Sequence, residues 1–130
     1  MINRNYDPKP RFFNIGIEPI IGKDCSLVDT LFDCYNQITI GNNVSFGHDC
    51  KILTGYHDKY RRGKDRMDHI PSKPVVIKDG AWIASGVIIC PGVTIGENSV
   101  IGAGSLVRHD IPDNEFHAGS PCIFIRKLWD

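Results

Sequence analysis

From Ile77 onward every sixth residue is aliphatic and β-branched: Ile77, Ile83, Ile89, Ile95, Ile101 and Val107. Ile, Val and Leu make up 31 of the 130 residues, so six hits at one fixed phase arise by chance about twice in ten thousand frames. A companion set lies four residues after the ladder positions, at Ala81, Val87, Val93, Ser99 and Ser105, and is small or β-branched throughout. The same phase is present earlier at Ile40, Phe46 and Ile52, with Val44 and Cys50 as companions. Ile21, Leu27 and Cys25 carry a version of it one residue out of phase.

A period of six excludes most folds. It drifts against both the heptad and the 3.6-residue turn, so it does not describe a helix face. Sandwich strands alternate every two residues and have turns of varied length. A strict six fits short strands joined by tight corners, in which three hexapeptides close one triangular coil of eighteen residues. The aliphatic residue points inward and stacks on its counterpart in the next coil. Gly and Asn at the corners (Asn42, Asn43, Asn98) supply left-handed backbone. The spacing predicts an all-β parallel β-helix of about four triangular rungs. Two of them run from Ile77 to Pro112, one from Ile40 to His57, and an irregular one from Ile20 to Ile38. We expect a single domain over residues 1–130. Within it, 1–18 form an N-terminal cap, 58–74 a loop excursion that interrupts the repeat, and 112–130 a closing segment.

Charge and cysteine content narrow the function classes. Lys+Arg and Asp+Glu are each 15, giving a net charge of +0, so no basic nucleic-acid footprint is expected. No apolar run approaches the roughly 18–20 residues of a membrane span. The polar start of the chain, with no apolar stretch, predicts no secretory signal. Five cysteines without a Cys-x-x-Cys pair argue against a disulfide framework and a zinc site, and for a cytoplasmic location. No His-x-x-x-x-His spacing is present, so no metal site is expected.

Several segments resemble the hexapeptide-repeat acyltransferase family. They are Ile77-Lys78-Asp79-Gly80-Ala81-Trp82-Ile83-Ala84-Ser85-Gly86, Pro91-Gly92-Val93-Thr94-Ile95-Gly96, Val100-Ile101-Gly102-Ala103-Gly104-Ser105 and Ala118-Gly119-Ser120-Pro121-Cys122. Within the family the chain is most similar to the galactoside, maltose and colanic-acid type O-acetyltransferases, through Thr54-Gly55-Tyr56-His57 before the loop. The resemblance implies a left-handed coil, acetyl-CoA as co-substrate, a glycan or small-molecule acceptor, and a homotrimer with sites between subunits. It also implies His57 as catalytic base, and Ser85, Ala103, Arg108 and Arg126 as cofactor-binding residues, with Lys127 adjoining. Where the family often has Thr-Lys after the last rung this chain has Arg108-His109, and Ile123 replaces one basic residue of the closing segment.

Acetyl transfer needs a base near neutrality, N–H donors for the oxyanion and two substrates held in line. Histidine suits the first task. Asp58, adjacent to His57, is a candidate to orient it and to bind substrate; Trp82 is a candidate platform for a sugar or for the pantetheine arm. In the preceding rung, ungapped counting puts Leu27 below His57, with Asp29 and Asn36 as nearby polar alternatives. The loop carries Lys59, Arg61, Arg62, Lys64, Arg66 and Lys73 against three aspartates, an excess that would suit an anionic acceptor. Two other functions share this pattern: an N-acetyltransferase acting on an amino-sugar nucleotide, and a non-enzymatic β-helix that scaffolds an assembly.

Overall fold

The computed structural model describes residues 7–130, so residues 1–6 of the expected cap lie outside the described residues. The chain enters as β1 (Arg11–Phe13) and then coils. The first rung contains β2 (Ile20–Ile21) and β3 (Leu31–Asp33), the second β4 (Ile38–Ile40), β5 (Ser45–Phe46) and β6 (Lys51–Ile52). After an excursion containing α1 (Gly63–Asp68), the third rung is β7 (Val75–Ile77), β8 (Trp82–Ile83) and β9 (Ile88–Ile89). The fourth is β10 (Thr94–Ile95), β11 (Val100–Ile101) and β12 (Leu106–Val107), and β13 (Glu115–Ala118) and β14 (Ile123–Lys127) close the coil.

Three sheets form the three faces. Face one is β1-β3-β6-β9-β12, face two β2-β4-β7-β10, and face three β5-β8-β11-β13-β14. All pairings are parallel except β13 with β14. In the upper rungs Val76 pairs with Thr94, Trp82 with Val100 and Ile88 with Leu106, eighteen residues apart each time. In the lower rungs Ile20 pairs with Thr39, nineteen apart, and Leu31 with Lys51, twenty apart.

The ladder is the core. Ile77, Ile83, Ile89, Ile95, Ile101 and Val107 are fully buried, as are the companions Ala81, Val87 and Ser99. Removing each ladder side chain from water contributes about 2 kcal/mol. In the first rung the phase slips: Phe32, not Asp33, stands opposite Ile52, and Phe12 stacks on Phe32 at 4.9 Å between ring centroids.

At the corners, side chains take over from the ladder. Asp79 Oδ1 accepts from the Asn42 N–H at 2.8 Å, and Asp113 Oδ1 from the Glu97 N–H at 2.7 Å. Asp29 Oδ1 accepts from the Asp49 N–H and Asp110 Oδ1 from the Thr94 N–H, each at 2.8 Å. These bonds satisfy N–H groups that the turning chain leaves without a strand partner.

In the closing segment β13 pairs with the last rung and β14 folds back on β13. All five residues of β14 are exposed. The excursion holds a short helix that the repeat pattern gave no reason to expect.

Candidate functional site

The coil has three edges, each a stack of corners. His57 follows β6, so it lies on the edge between faces one and two, at the point where the loop leaves the coil. Ser85 and Ala103 lie on the edge between faces three and one, in the corners after β8 and β11. The full width of face one separates these two edges within one chain. Arg108 follows β12 and shares the His57 edge, toward the C-terminal end of the coil, while Arg126 is on β14.

The His57 corner rests on buried polar groups. Asp33 Oδ2 accepts from the Gly55 N–H at 3.1 Å and the Thr54 N–H at 3.4 Å, while its Oδ1 accepts from Asn14 Nδ2 at 2.9 Å. Thr54 Oγ1 donates to the Asp33 carbonyl and accepts from the Asn36 N–H. Gly55 is required because a Cβ there would run into the Tyr35 ring. The loop closes at its base by the Gly55–Ser72 bridge and the Lys73 N–H bond to the Thr54 carbonyl.

Leu27 is therefore not the residue beneath His57. The longer first rung carries Leu27 onto the opposite side, partly buried against the core, and brings Asp33 and Asn36 under the His57 corner. Asp29 goes instead to the Ser85 edge. Hexapeptide counting missed Asp33 because it assumed a phase that the first rung does not keep.

His57 is exposed, and its Nδ1 lies 2.8 Å from the Arg66 carbonyl and 3.2 Å from that of His69. A carbonyl only accepts, so Nδ1 carries the proton and Nε2 is left with its lone pair. The loop helix thus sets the tautomer through backbone atoms. Asp58 does not orient the ring: its carboxylate caps the Tyr60 N–H at 3.0 Å and pairs with Arg61 at 3.6 Å.

Two of the loop's six cations are paired with carboxylates of the loop. Arg61 pairs with Asp58 and Asp65, and Lys64 with Asp68 at 2.7 Å. The Arg66 guanidinium donates to the carbonyls of Arg61 and Lys59. These contacts use all three of the loop's aspartates and leave its excess of three positive charges in place.

On the other edge, Ser85 and Ala103 are exposed, and neither backbone N–H donates a hydrogen bond among the described residues. Gly104 has φ +70°, and a Cβ there would meet nothing, so the main chain is open to close approach. An apolar groove of about 460 Å³ lies alongside, lined by Trp82, Ala84, Gly102, Ala103, Phe116 and Leu128. Trp82 is 52% exposed in it. Arg108, Arg126 and Lys127 are all exposed. The small residues, free N–H groups, apolar groove and cations fit a ligand with a narrow amide-bearing arm and an anionic end. Among the described residues no group of three or more His, Cys, Asp or Glu side chains is arranged to hold a metal ion, and no helix is long and apolar enough to cross a membrane.

The three-faced parallel coil and its six-residue repeat match a known family. The family described as bacterial transferase hexapeptide (six repeats) matches residues 74–109. The galactoside O-acetyltransferase of Lactococcus lactis subsp. lactis is 46% identical over 98 residues, 72% of this chain and 45% of that protein. A galactoside acetyltransferase solved in complex with coenzyme A superposes with a TM-score of 0.84 at 36% identity, covering 96% of this chain and 62% of that one. A hexapeptide-repeat-containing acetyltransferase from Vibrio cholerae, complexed with acetyl-coenzyme A, gives 0.81 at 34% identity over 86% and 61% of the two chains. The chain belongs to the hexapeptide-repeat acyltransferase family, and its coil is the left-handed parallel β-helix. It spans 45% to 60% of the length of the curated relatives first matched.

Proposed function

We propose that this protein is an acetyl-CoA-dependent O-acetyltransferase that acetylates a hydroxyl of a sugar or glycan, with His57 as general base. The observation that carries the reading is the His57 ring held by the Arg66 and His69 carbonyls, which leaves Nε2 free to accept a proton. The galactoside O-acetyltransferase relatives and the neighbours solved with coenzyme A or acetyl-coenzyme A support the substrate and co-substrate classes.

Acetyl-CoA would supply the activated acyl group. The groove lined by Trp82 and Ala103 suits its pantetheine arm, and Arg108, Arg126 and Lys127 suit its phosphates. His57 Nε2 takes the acceptor proton as the hydroxyl oxygen attacks the thioester carbonyl, and returns it to the departing sulfur. The Ser85 N–H is the donor we assign to the oxygen that gains charge. General-base assistance of this kind supplies on the order of a hundred- to ten-thousand-fold. Transfer is direct: burial pushes the Cys34, Cys50, Cys90 and Cys122 thiols up, against the activation a nucleophile needs.

Because face one separates His57 from Ser85 in one chain, a complete site takes the His57 edge of one copy and the Ser85 edge of another. A homotrimer of this coil meets that need. The five free cysteines favour a reducing compartment, and we assign the protein to the cytoplasm.

The test has two arms. Calorimetry with acetyl-CoA should give saturable binding, and free-thiol release should depend on a galactoside acceptor. Absence of acetyl-CoA binding would replace this reading with the scaffold, and release only with amino sugars would replace it with the N-acetyltransferase.

A further inference from the structure

The Ser85 edge continues below Ser85. The His48 N–H donates to Ser85 Oγ at 3.0 Å, which fixes His48 one rung toward the N-terminal end. Asp29 follows one rung further, its Oδ1 accepting from the Asp49 N–H at 2.8 Å. Adjacent rungs lie about 4.8 Å apart, so His48 and Asp29 occupy the two steps beneath Ser85. On the facing edge Arg108 is toward the C-terminal end and His57 is two rungs below it, at the level between Ser85 and His48.

This order has a direction. With the anionic end of the co-substrate at the C-terminal cations, the acyl group lies at the level of His57 and Ser85. The space beyond it, where an acceptor must sit, is bounded by His48 and Asp29. We propose, building on the O-acetyltransferase reading, that His48 and Asp29 form the acceptor floor and select an uncharged polyhydroxylic acceptor over an anionic one.

Several observations support the choice. The Asp29 carboxyl is held below the usual carboxylate range by the Asp49 N–H bond, opposed by burial, with His48 and Arg11 adding smaller contributions. Asp49 is neutralised by Lys51 at 3.3 Å, whereas the Arg11 guanidinium bonds the Asp29 carbonyl rather than its carboxylate. An ionised carboxylate accepts from sugar hydroxyls and repels an acidic sugar. The corner that presents Asp29 is also strained. Val28 has φ +51°, where the same corner in the other rungs uses Asp49, Gly86 and Gly104. A β-branched residue in the left-handed region is rare, and such outliers cluster at functional sites.

The test uses the full chain with methyl β-galactoside as neutral acceptor and glucuronate as anionic one. Titrating the galactoside without acetyl-CoA should shift the His48 imidazole signals in NMR, and glucuronate should not. In D29N, which keeps an oxygen for the Asp49 N–H, and in H48Q, the galactoside KM should rise about tenfold while the acetyl-CoA KM stays put. D29N should also narrow the preference for galactoside over glucuronate. An unchanged galactoside KM in both folded variants, or glucuronate used as well as galactoside by the unaltered protein, would overturn the floor and leave the acetyltransferase standing. Absence of transfer to every acceptor would remove both.

Discussion

The rungs from Val75 to Val107 and those from Ile20 to His57 are built from the same repeat and differ in regularity. Between the rungs from Val75 to Val107 every pairing step is eighteen residues, and the buried hydroxyls of Ser99 and Ser105 bond the carbonyls of Pro112 and Gly102. Below the loop the steps are nineteen and twenty, Asp33 is buried, and Val28 is left-handed. The regular half stores stability in interchangeable aliphatic contacts. The irregular half supports His57 on polar contacts that cross from one rung to the next. The regular half offers similar corners rung after rung, Ser85 and Ala103 among them, whereas His57 stands where the loop breaks the repeat.

The sharpest way to break this contrast is to compare one substitution from each half. His57→Ala should lower kcat on the order of a hundred- to ten-thousand-fold and leave thermal unfolding within about 0.5 kcal/mol, because the side chain is exposed. Ile89→Ala should do the reverse. It empties a fully buried ladder position, costing about 2–5 kcal/mol by denaturant unfolding, and should leave kcat per folded molecule within a few-fold. A kcat loss in Ile89→Ala comparable with that of His57→Ala would end the division of labour.

The same contrast explains what could be read without coordinates. The ladder from Ile77 to Val107 was legible because strict phase leaves one inward position per hexapeptide, and all six residues are buried. His57 was legible by resemblance alone. Its support was not: Asp58 was the adjacent candidate, yet the ring is held by the carbonyls of Arg66 and His69. A backbone oxygen exists at every residue and leaves no mark in composition. Asp33 was hidden by the slipped register of Phe32, and the left-handed Val28 by its residue type, since sequence signals for that conformation are Gly, Asn and Asp.

A smaller effect sharpens the role of the buried carboxylate. Asp33→Ala removes acceptors from the N–H groups of Thr54 and Gly55 and from the Asn14 amide. Leaving such donors unpaired costs about 1–3 kcal/mol, and kcat should fall with it because Gly55 and Tyr56 carry the chain to His57. Asp33→Asn keeps one oxygen, which can serve either the Thr54 and Gly55 N–H groups or the Asn14 amide but not both, so chemical unfolding and kcat should both lie between the parent and the alanine variant. If Asp33→Ala lost stability and kept kcat, His57 would be positioned by the loop alone.

The smallest effect concerns Val28. A left-handed φ costs an L-residue with a Cβ roughly 1–2 kcal/mol, whereas Asn43, Asn98 and Asn114 adopt it at corners of this same coil. Val28 is only partly buried, so replacing it with Asn gives up less than the roughly 1.5 kcal/mol of a fully buried valine. The two terms nearly cancel, with the strain the larger because it acts in full. Val28→Asn should therefore raise stability by about 0.5 kcal/mol in denaturant unfolding. A corner strained only by drift would relax with no change in acceptor KM. A corner strained in order to present Asp29 would gain the same stability and lose acceptor affinity, so a rise in galactoside KM in the more stable variant separates a functional irregularity from an accidental one.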